Sequence, residues 1–225
     1  MNKLKFLDNV SNYEVTLNFE YLKNAVDLYN NNIFEVDIDN IDYIIQKLNQ
    51  NIMKDYNYNT KLYYYCKKND KIILHKMPRN FSWIETDKIG GISALYHNED
   101  ILVLETLNIK KIYFFLEKEY FNKIDNRSIH FEYIYCENRD SPSLLDMYNV
   151  LKNESFEYPI LFGCLGGYGR TGTALACYLC FKNKYKEASA IINELRLIRP
   201  KSIETEKQIK FIKKFKDYLI KIDAY

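Results

Sequence analysis

Five of the seven glycines in this 225-residue chain fall within ten consecutive residues, Gly163 to Gly172. The apolar segment Pro159–Gly163 predicts a buried strand, and a helical pattern runs from Thr171 to Phe181. In a turn between two such elements, glycine lets backbone N–H groups converge on one point, and the helix start adds the positive end of its dipole. The cluster therefore predicts an anion-binding loop between a buried strand and a helix.

Three kinds of phosphate-binding loop contain clustered glycines, and the flanking residues separate them. Gly167, Gly169 and Gly172 match the dinucleotide pattern G-x-G-x-x-G, but only helical patterns follow, so the second strand of that unit is missing. The nucleotide-binding pattern needs Lys and then Ser or Thr after Gly172, where this chain has Thr173 and Ala174. Both nucleotide interpretations are therefore disfavoured.

The third pattern, Cys-x5-Arg, is met from Cys164 to Arg170, and Thr171 follows. A thiolate at the loop floor can attack phosphorus, because the surrounding N–H groups and the helix dipole stabilise its negative charge. Arg170 can bind two phosphoryl oxygens, and Thr171 can donate a hydrogen bond to the departing thiolate. A buried cysteine beside an ordinary turn is the plainer alternative, but it leaves the glycines unexplained. The residues predicted to surround the phosphate are Leu165, Gly166, Gly167, Tyr168, Gly169 and Arg170.

The rest of the chain predicts strands that alternate with helices, which indicates an α/β sheet covered by helices. Residues 1–77 read as a small α/β extension of unknown role, and residues 78–225 as the main domain. The predicted helices are Tyr21–Tyr29, Ile41–Met53, Asn98–Thr106, Leu144–Leu151 capped by Ser141 or Ser143, Thr171–Phe181, Tyr185–Ile198 and Ser202–Ile222. The predicted strands are Leu62–Tyr65, Lys71–His75, one each in PRNFSWI and DKIGGIS, Ile109–Leu116, Ile129–Tyr135 and Pro159–Gly163.

Composition bounds the class of protein. The net charge of +2 gives no field strong enough to predict attraction to nucleic acid or to a membrane. Five irregularly spaced cysteines make a poor disulfide framework, and no apolar run approaches the ~18 residues of a membrane span. We therefore expect a cytoplasmic protein in a reducing compartment, without a signal peptide.

Two further patterns carry no function that we would assign. Cys177 and Cys180 lie on a helical pattern and are expected to pack against the sheet, and the three histidines are scattered, so no metal site is predicted. The lysines beside apolar positions in Ser202–Ile222 predict a solvated face on a helix that packs on the core, with membrane or RNA contact as the alternative.

Four segments together resemble the small atypical dual-specificity phosphatases of the protein-tyrosine phosphatase superfamily. They are NFSWI with the following KIGG, LNIKKIYFFLE, GYGRTGTALACYL and RLIRPKSIETEKQ, and the resemblance covers about residues 80–217. It implies a central sheet of four or five mostly parallel strands flanked by helices. It also implies that Cys164 is the nucleophile, that Arg170 binds phosphate, and that catalysis needs no metal or cofactor.

The chain departs from the family at two positions. Gly163 stands where the family has His before the nucleophile, and Asn138 stands at the position of the general-acid Asp. Since an asparagine side chain cannot protonate a leaving group, Glu137 or Asp140 could supply the proton from a shifted loop. In relatives of this kind, a Glu that follows Ser-Ile lies near the pocket, and Glu204 matches it.

The sequence therefore predicts a protein phosphatase that acts on phosphotyrosine, with phosphoserine and phosphothreonine as further substrates, through a phosphocysteine intermediate. Its expected partner is a phosphorylated protein. Gly163 and Asn138 keep a second hypothesis open, a pseudophosphatase that binds a phosphorylated partner without turnover. An RNA 5′-phosphatase is a third, which the near-neutral charge does not favour. The sequence does not predict the oligomeric state.

Overall fold

The computed structural model describes residues 6–7, 9–13, 19–31, 38–54, 63–68, 71–120, 128–157 and 159–223. Two units separate within it: Met1–Met77 with Asn98–Val103, and Pro78–His97 with Leu104–Tyr225.

Helices α1 (Phe19–Asn31) and α2 (Ile38–Lys54) of the first unit accompany an antiparallel hairpin of β1 (Tyr63–Lys68) and β2 (Lys71–Lys76). Asn49 of α2 donates to and accepts from the backbone of Tyr65, both at 2.8 Å, and Asn30 of α1 does the same with Ile72 at 2.7 and 2.9 Å. Each amide thus occupies backbone groups that an unpaired strand edge would expose. The buried residues between these elements include Phe6, Ala25, Ile41, Ile44, Leu48 and Ile72.

The second unit is built on a five-stranded sheet with the order β3-β4-β7-β5-β6. Its strands are β3 (Ser82–Glu85), β4 (Ile89–Ser93), β5 (Lys111–Leu116), β6 (His130–Tyr135) and β7 (Ile160–Cys164). Only β3 runs antiparallel to its neighbour. This mostly parallel sheet with its flanking helices confirms the predicted fold class.

The helices of the second unit are α4 (Leu144–Asn153), α5 (Gly169–Lys182), α6 (Ala188–Ile198) and α7 (Glu206–Asp223), whereas α3 (Asn98–Thr106) has its residues 98–103 in the first unit. The N-cap of α4 is Ser143, whose hydroxyl accepts the backbone N–H of Asp146 at 3.0 Å, so the choice between Ser141 and Ser143 is resolved. Helix α5 packs against α6 and α7, and Cys177 and Cys180 are fully buried in this core, as predicted.

Helix α7 begins four residues later than the predicted start at Ser202, and that prediction was wrong for a physical reason. The Arg196 guanidinium donates to the carbonyls of Ser202 at 3.1 Å and Ile203 at 2.8 Å, and Ile203 has a φ of 64°. A β-branched residue with positive φ cannot continue a right-handed helix. The connection from α6 to α7 is therefore a fixed, non-helical turn that lies next to α5.

Parallel strands bring their carboxyl ends to one edge of the sheet, which is where open α/β sheets bind ligands. Ser93 pairs with Cys164 across β4 and β7, and Leu116 pairs with Tyr135 across β5 and β6. The segments that follow these four residues form the candidate site.

Candidate active site

Residues 164–170, which we call the phosphate loop, connect the last residue of β7 to the start of α5. Three of its carbonyls are hydrogen-bonded to groups around the loop: Leu165 O to Ala94 N–H at 3.3 Å, Gly166 O to Asn80 Nδ2 at 2.6 Å, and Gly167 O to Arg199. Those carbonyls therefore have partners outside the loop. Gly167 has a φ of 77°, and its N–H donates to the Cys164 sulfur at 3.2 Å. A residue with a Cβ would strain this conformation.

Arg199 is the support of the phosphate loop. It is fully buried and donates from Nη1 to Asn80 O and Ser82 Oγ, both at 2.7 Å, and from Nη2 to Gly167 O. A Cβ at Gly91 would lie 2.9 Å from its Nε, so the glycine makes room for the guanidinium. One buried side chain thus fixes the loop to the segment that leads into β3.

Arg170 is 3% exposed, and a second buried network holds it. Its Nη1 donates to Glu117 Oε2 at 2.5 Å and to Cys136 O at 2.8 Å, which are the residues just after β5 and β6. Burial alone would raise the pKa of Glu117, but the hydrogen bond and charge of Arg170, with backbone hydrogen bonds, lower it overall. Burial raises the pKa of the neighbouring Cys136 thiol to about 12, so that cysteine is neutral.

A cavity of about 160 Å³ opens above the phosphate loop. Cys164, itself 2% exposed, and Arg170 lie on its lining. The rest of the lining is Asn138, Arg139, Leu165, Gly166, Tyr168 and Glu204. Five of the seven predicted phosphate-loop residues thus come together at one cavity, whereas Gly167 and Gly169 are not part of its lining.

Two segments, residues 137–140 and 204–208, contribute Asn138, Arg139 and Glu204 to the cavity, and we call these segments the rim. Asp140 forms an ion pair with Lys207 and accepts the N–H of Ser141 at 2.8 Å. Burial would raise the pKa of Asp140, but these contacts outweigh it and lower that pKa. Glu137 is exposed and accepts the Tyr135 hydroxyl at 3.1 Å. Neither carboxylate belongs to the lining, so the structure does not bring these two predicted acids to the cavity.

Glu204 does lie on the lining, next to the phosphate loop. Its Oε2 occupies the space that a Cβ at Gly169 would need. The backbone N–H groups of Glu204 and Thr205 both donate to Gln208 Oε1, at 2.8 and 3.2 Å, which positions the turn that carries the carboxylate. A carboxylate is therefore present at the cavity, although on the α7 side instead of the position that Asn138 occupies.

Thr171 is fully buried, and its hydroxyl donates to Ile92 O at 3.4 Å. It is not part of the cavity lining. Its predicted contact with a departing thiolate stays a prediction.

Gly163, which replaces the family histidine, has a structural explanation. A Cβ at this position would lie 2.6 Å from Phe114 Cδ1 and 3.1 Å from Ile92 Cγ2. Phe114 is 2% exposed, and its ring stacks on Phe131 with a centroid distance of 6.3 Å and an interplanar angle of 3°. An aromatic ring of the neighbouring strand therefore fills the space that any side chain at Gly163 would enter.

Sequence reasoning missed Glu117 and Arg139. Glu117 follows directly after the predicted strand Ile109–Leu116, and its position at the carboxyl end of a parallel strand was the signal that could have identified it. Arg139 lies next to Asn138, in a segment where the missing general acid directed the prediction to carboxylates and not to a cation.

Within the described ranges, no three His, Cys, Asp or Glu side chains are grouped so that they could hold a metal ion. No helix in the described part of the chain has the length and apolar character needed to cross a membrane.

Comparison with known families finds a match over more than half of the chain. Residues 78–212 match the family model PTP-SAK, described as the Swiss Army Knife protein, DSP-PTPase phosphatase domain. The match ends inside α7 and includes both the phosphate loop and the rim.

A curated relative is protein tyrosine phosphatase domain-containing protein 1 of Bos taurus, which is 37% identical over 78 residues. The match covers 35% of this chain and spans about a tenth of the length of that relative.

Two solved structures share the fold. Tk-PTP in its active form superposes with a TM-score of 0.52 at 18% identity, covering 61% of this chain and 97% of its own. PTPMT1 in complex with PI(5)P superposes with a TM-score of 0.56 at 13% identity, covering 64% and 98%.

Proposed function

Over residues 78–212 the chain belongs to the PTP-SAK family of DSP-PTPase phosphatase domains, and on that premise we propose that it hydrolyses phosphotyrosine through a phosphocysteine intermediate. The proposal includes phosphoserine and phosphothreonine as further substrates of the enzyme. The observation that carries it is the phosphate loop, in which Cys164 and the buried Arg170 line one cavity and the Gly167 N–H donates to the Cys164 sulfur.

In the first step, the Cys164 thiolate attacks phosphorus and the bond from phosphorus to the ester oxygen breaks. Arg170 holds two phosphoryl oxygens and stabilises the charge that develops on them. Glu117 restricts the guanidinium to one orientation, so that binding phosphate requires little rearrangement. The leaving oxygen takes a proton, and the cysteine now carries the phosphoryl group.

Glu204 is our candidate for the donor of that proton. It lies on the cavity lining, whereas Glu137 and Asp140 do not. A general acid must be protonated at the start of the reaction, and the contacts of Asp140 lower its pKa, which makes it a poor donor. In the second step, a water attacks phosphorus, its proton passes to the Glu204 carboxylate, and the bond from sulfur to phosphorus breaks. Inorganic phosphate leaves, and the thiolate and the protonated acid are restored.

Two observations favour a second candidate, a pseudophosphatase that binds a phosphorylated partner without turnover. Phe114 fills the space where the family histidine would stand, and Asn138, which lies on the lining, cannot donate a proton as a carboxylic acid does. Binding through Arg170 and the phosphate loop requires neither group.

Hydrolysis of an aryl and an alkyl phosphate distinguishes the two candidates. We expect wild type to hydrolyse the aryl phosphate at least about 10³-fold faster than Cys164→Ser, since loss of the nucleophile removes the covalent route. Phosphotyrosine-peptide binding to Cys164→Ser serves as the control that the cavity is intact.

If wild type is no faster than Cys164→Ser while that variant still binds the phosphopeptide, the enzyme proposal is wrong and the binding protein is correct. If wild type hydrolyses only the aryl phosphate, the nucleophile is active and the proton donor is missing, because an aryl leaving group needs little protonation.

A further inference from the structure

Arg139 is a second cation on the lining of the cavity above Cys164. It differs from Arg170 in two ways. Arg170 is 3% exposed and paired with Glu117, whereas Arg139 is exposed and, within the described part of the chain, its guanidinium has no ion pair or hydrogen bond. A cation that borders the cavity with no carboxylate partner in this region is available to a ligand.

The backbone of Arg139 is held in an uncommon conformation. Its φ is 59°, in the left-handed region that residues other than glycine seldom adopt. Thr205 Oγ1 donates to Arg139 O at 3.2 Å, and Gln208 Nε2 donates to the next carbonyl, Asp140 O, at 3.0 Å. The ion pair of Asp140 with Lys207 adds a third connection to the start of α7. The turn is thus connected on one side to the start of α7, and Arg139 remains on the cavity lining.

The cavity is too small to enclose a whole ligand, so any group of the ligand beyond the phosphoryl group lies outside the cavity. At about 160 Å³ it is smaller than the ~300–1,000 Å³ of pockets that enclose a whole small molecule. A phosphoryl group over Cys164 would therefore leave the rest of its molecule at the rim, where Arg139 lies.

The charges on the lining limit what that second group can be. The phosphate loop has no lysine, and Arg170 is its only arginine, already paired with Glu117. Glu204 brings a carboxyl group to the same lining. One unpaired guanidinium matches one carboxylate, whereas a head group with several phosphates would find too little positive charge.

We infer that Arg139 is a specificity-determining residue that binds a carboxylate next to the phosphotyrosine of an acidic peptide. This inference rests on the proposed function, because it assigns a substrate class to the same cavity. Arg139 contributes to substrate recognition, whereas Cys164 and Arg170 contact the phosphoryl group.

The test compares two phosphotyrosine peptides that are identical except for Asp or Asn beside the phosphotyrosine, so that the leaving group does not change. Binding is measured by calorimetry in Cys164→Ser, and kcat/KM is measured in wild type. We expect the Asp peptide to be favoured by about three- to fivefold, as for a solvent-exposed ion pair, with a smaller preference at high salt.

Three variants identify the residue responsible. Arg139→Gln should remove the preference, and Arg139→Lys should keep part of it, since the charge is retained without the planar fork. Lys210→Gln, which removes the same charge from an exposed position on α7, should leave the preference unchanged.

Equal binding of the two peptides by the Cys164→Ser protein overturns this inference and leaves the proposed function standing. Failure to bind or hydrolyse either peptide overturns the proposed function itself. An inositol bisphosphate that binds more tightly than the Asp peptide, and loses that advantage in Arg139→Gln, overturns the choice of a peptide as the ligand.

Discussion

The phosphate loop and the rim both contribute residues to one cavity, yet they are built differently. The phosphate loop is fixed by buried groups: Arg199 is fully buried, and Arg170 is 3% exposed with a carboxylate and a carbonyl as partners. The rim has one buried residue that holds it, Gln208, and its ion pair of Asp140 with Lys207 involves an exposed lysine. The phosphate loop also contains the Cys-x5-Arg pattern, whereas on the rim Asn138 stands where the family resemblance predicts the acid.

This difference separates two tasks of a phosphatase. Holding a phosphoryl group requires convergent hydrogen-bond donors in a rigid, water-poor loop. Displacing those donors strongly reduces their stabilisation of the transition state. Protonating a leaving group requires only one acid within reach, and such an acid can come from another segment. We therefore expect a substitution of a phosphate-binding residue to cost more activity than a substitution on the rim, and each of the following predictions tests one side of that division.

The largest effect is expected for Arg170→Lys in the phosphate loop. Lysine retains the charge but cannot bind two phosphoryl oxygens and Glu117 in one plane, so kcat/KM for an aryl phosphate should fall about 10²- to 10³-fold. The matched control is Arg79→Lys, at an exposed arginine of the same unit, which should stay near the wild-type value. A loss of less than about threefold would contradict the idea that the phosphate loop depends on the geometry of this guanidinium.

Arg199→Met tests the support of the phosphate loop through stability. The variant leaves Gly167 O and Ser82 Oγ without their buried donor, and we expect the free energy of unfolding to fall by about 3 kcal/mol. Urea denaturation followed by tryptophan fluorescence measures it, because Trp83, the only tryptophan of the chain, lies on β3 of the second unit. Arg79→Met is the control, with a change of at most ~0.5 kcal/mol. Equal stabilities for the two variants would assign the support to other residues.

The sequence predicted the fold and the phosphate loop because both depend on local pattern. Buried strands, amphipathic helices and a glycine-rich turn are each visible within about 20 residues. Glu117 was missed since it meets Arg170 only through the sheet order β7-β5-β6, which hydrophobic periodicity does not encode.

The later start of α7 was missed for a similar reason. It depends on the Arg196 side chain, which binds the carbonyls of Ser202 and Ile203. Hydrophobic periodicity predicts which residues face a core. It does not predict which backbone groups will be hydrogen-bonded by a side chain from elsewhere in the chain.

On the rim, Glu204→Gln tests the relocated proton donor. Hydrolysis of an alkyl phosphate should slow by about 10²-fold, whereas an aryl phosphate with a good leaving group should change little, because only the alkoxide requires a proton in the transition state. Asp140→Asn is the matched control, and since the structure pairs Asp140 with Lys207, both substrates should react at near wild-type rates. If Asp140→Asn slows the alkyl reaction and Glu204→Gln does not, the acid is Asp140.

The smallest effect is expected for Gly163→Ala. This variant tests whether packing next to the phosphate loop explains why a glycine stands at the position of the family histidine. The new methyl group would meet the ring of Phe114, which is stacked on Phe131, so the free energy of unfolding should fall by about 2 kcal/mol. The control Gly166→Ala adds a methyl group whose nearest neighbour is 3.7 Å away and should cost less.

Adding Phe114→Leu separates the contact with the ring from other effects. If that ring is the obstacle, Gly163→Ala should cost less in the Phe114→Leu background than in wild type, and a double-mutant cycle gives the coupling. Additive costs would mean that the ring does not exclude a side chain at Gly163. The departure from the family histidine would then lie in the chemistry of the site and not in its packing, which would strengthen the pseudophosphatase as the function of this cavity.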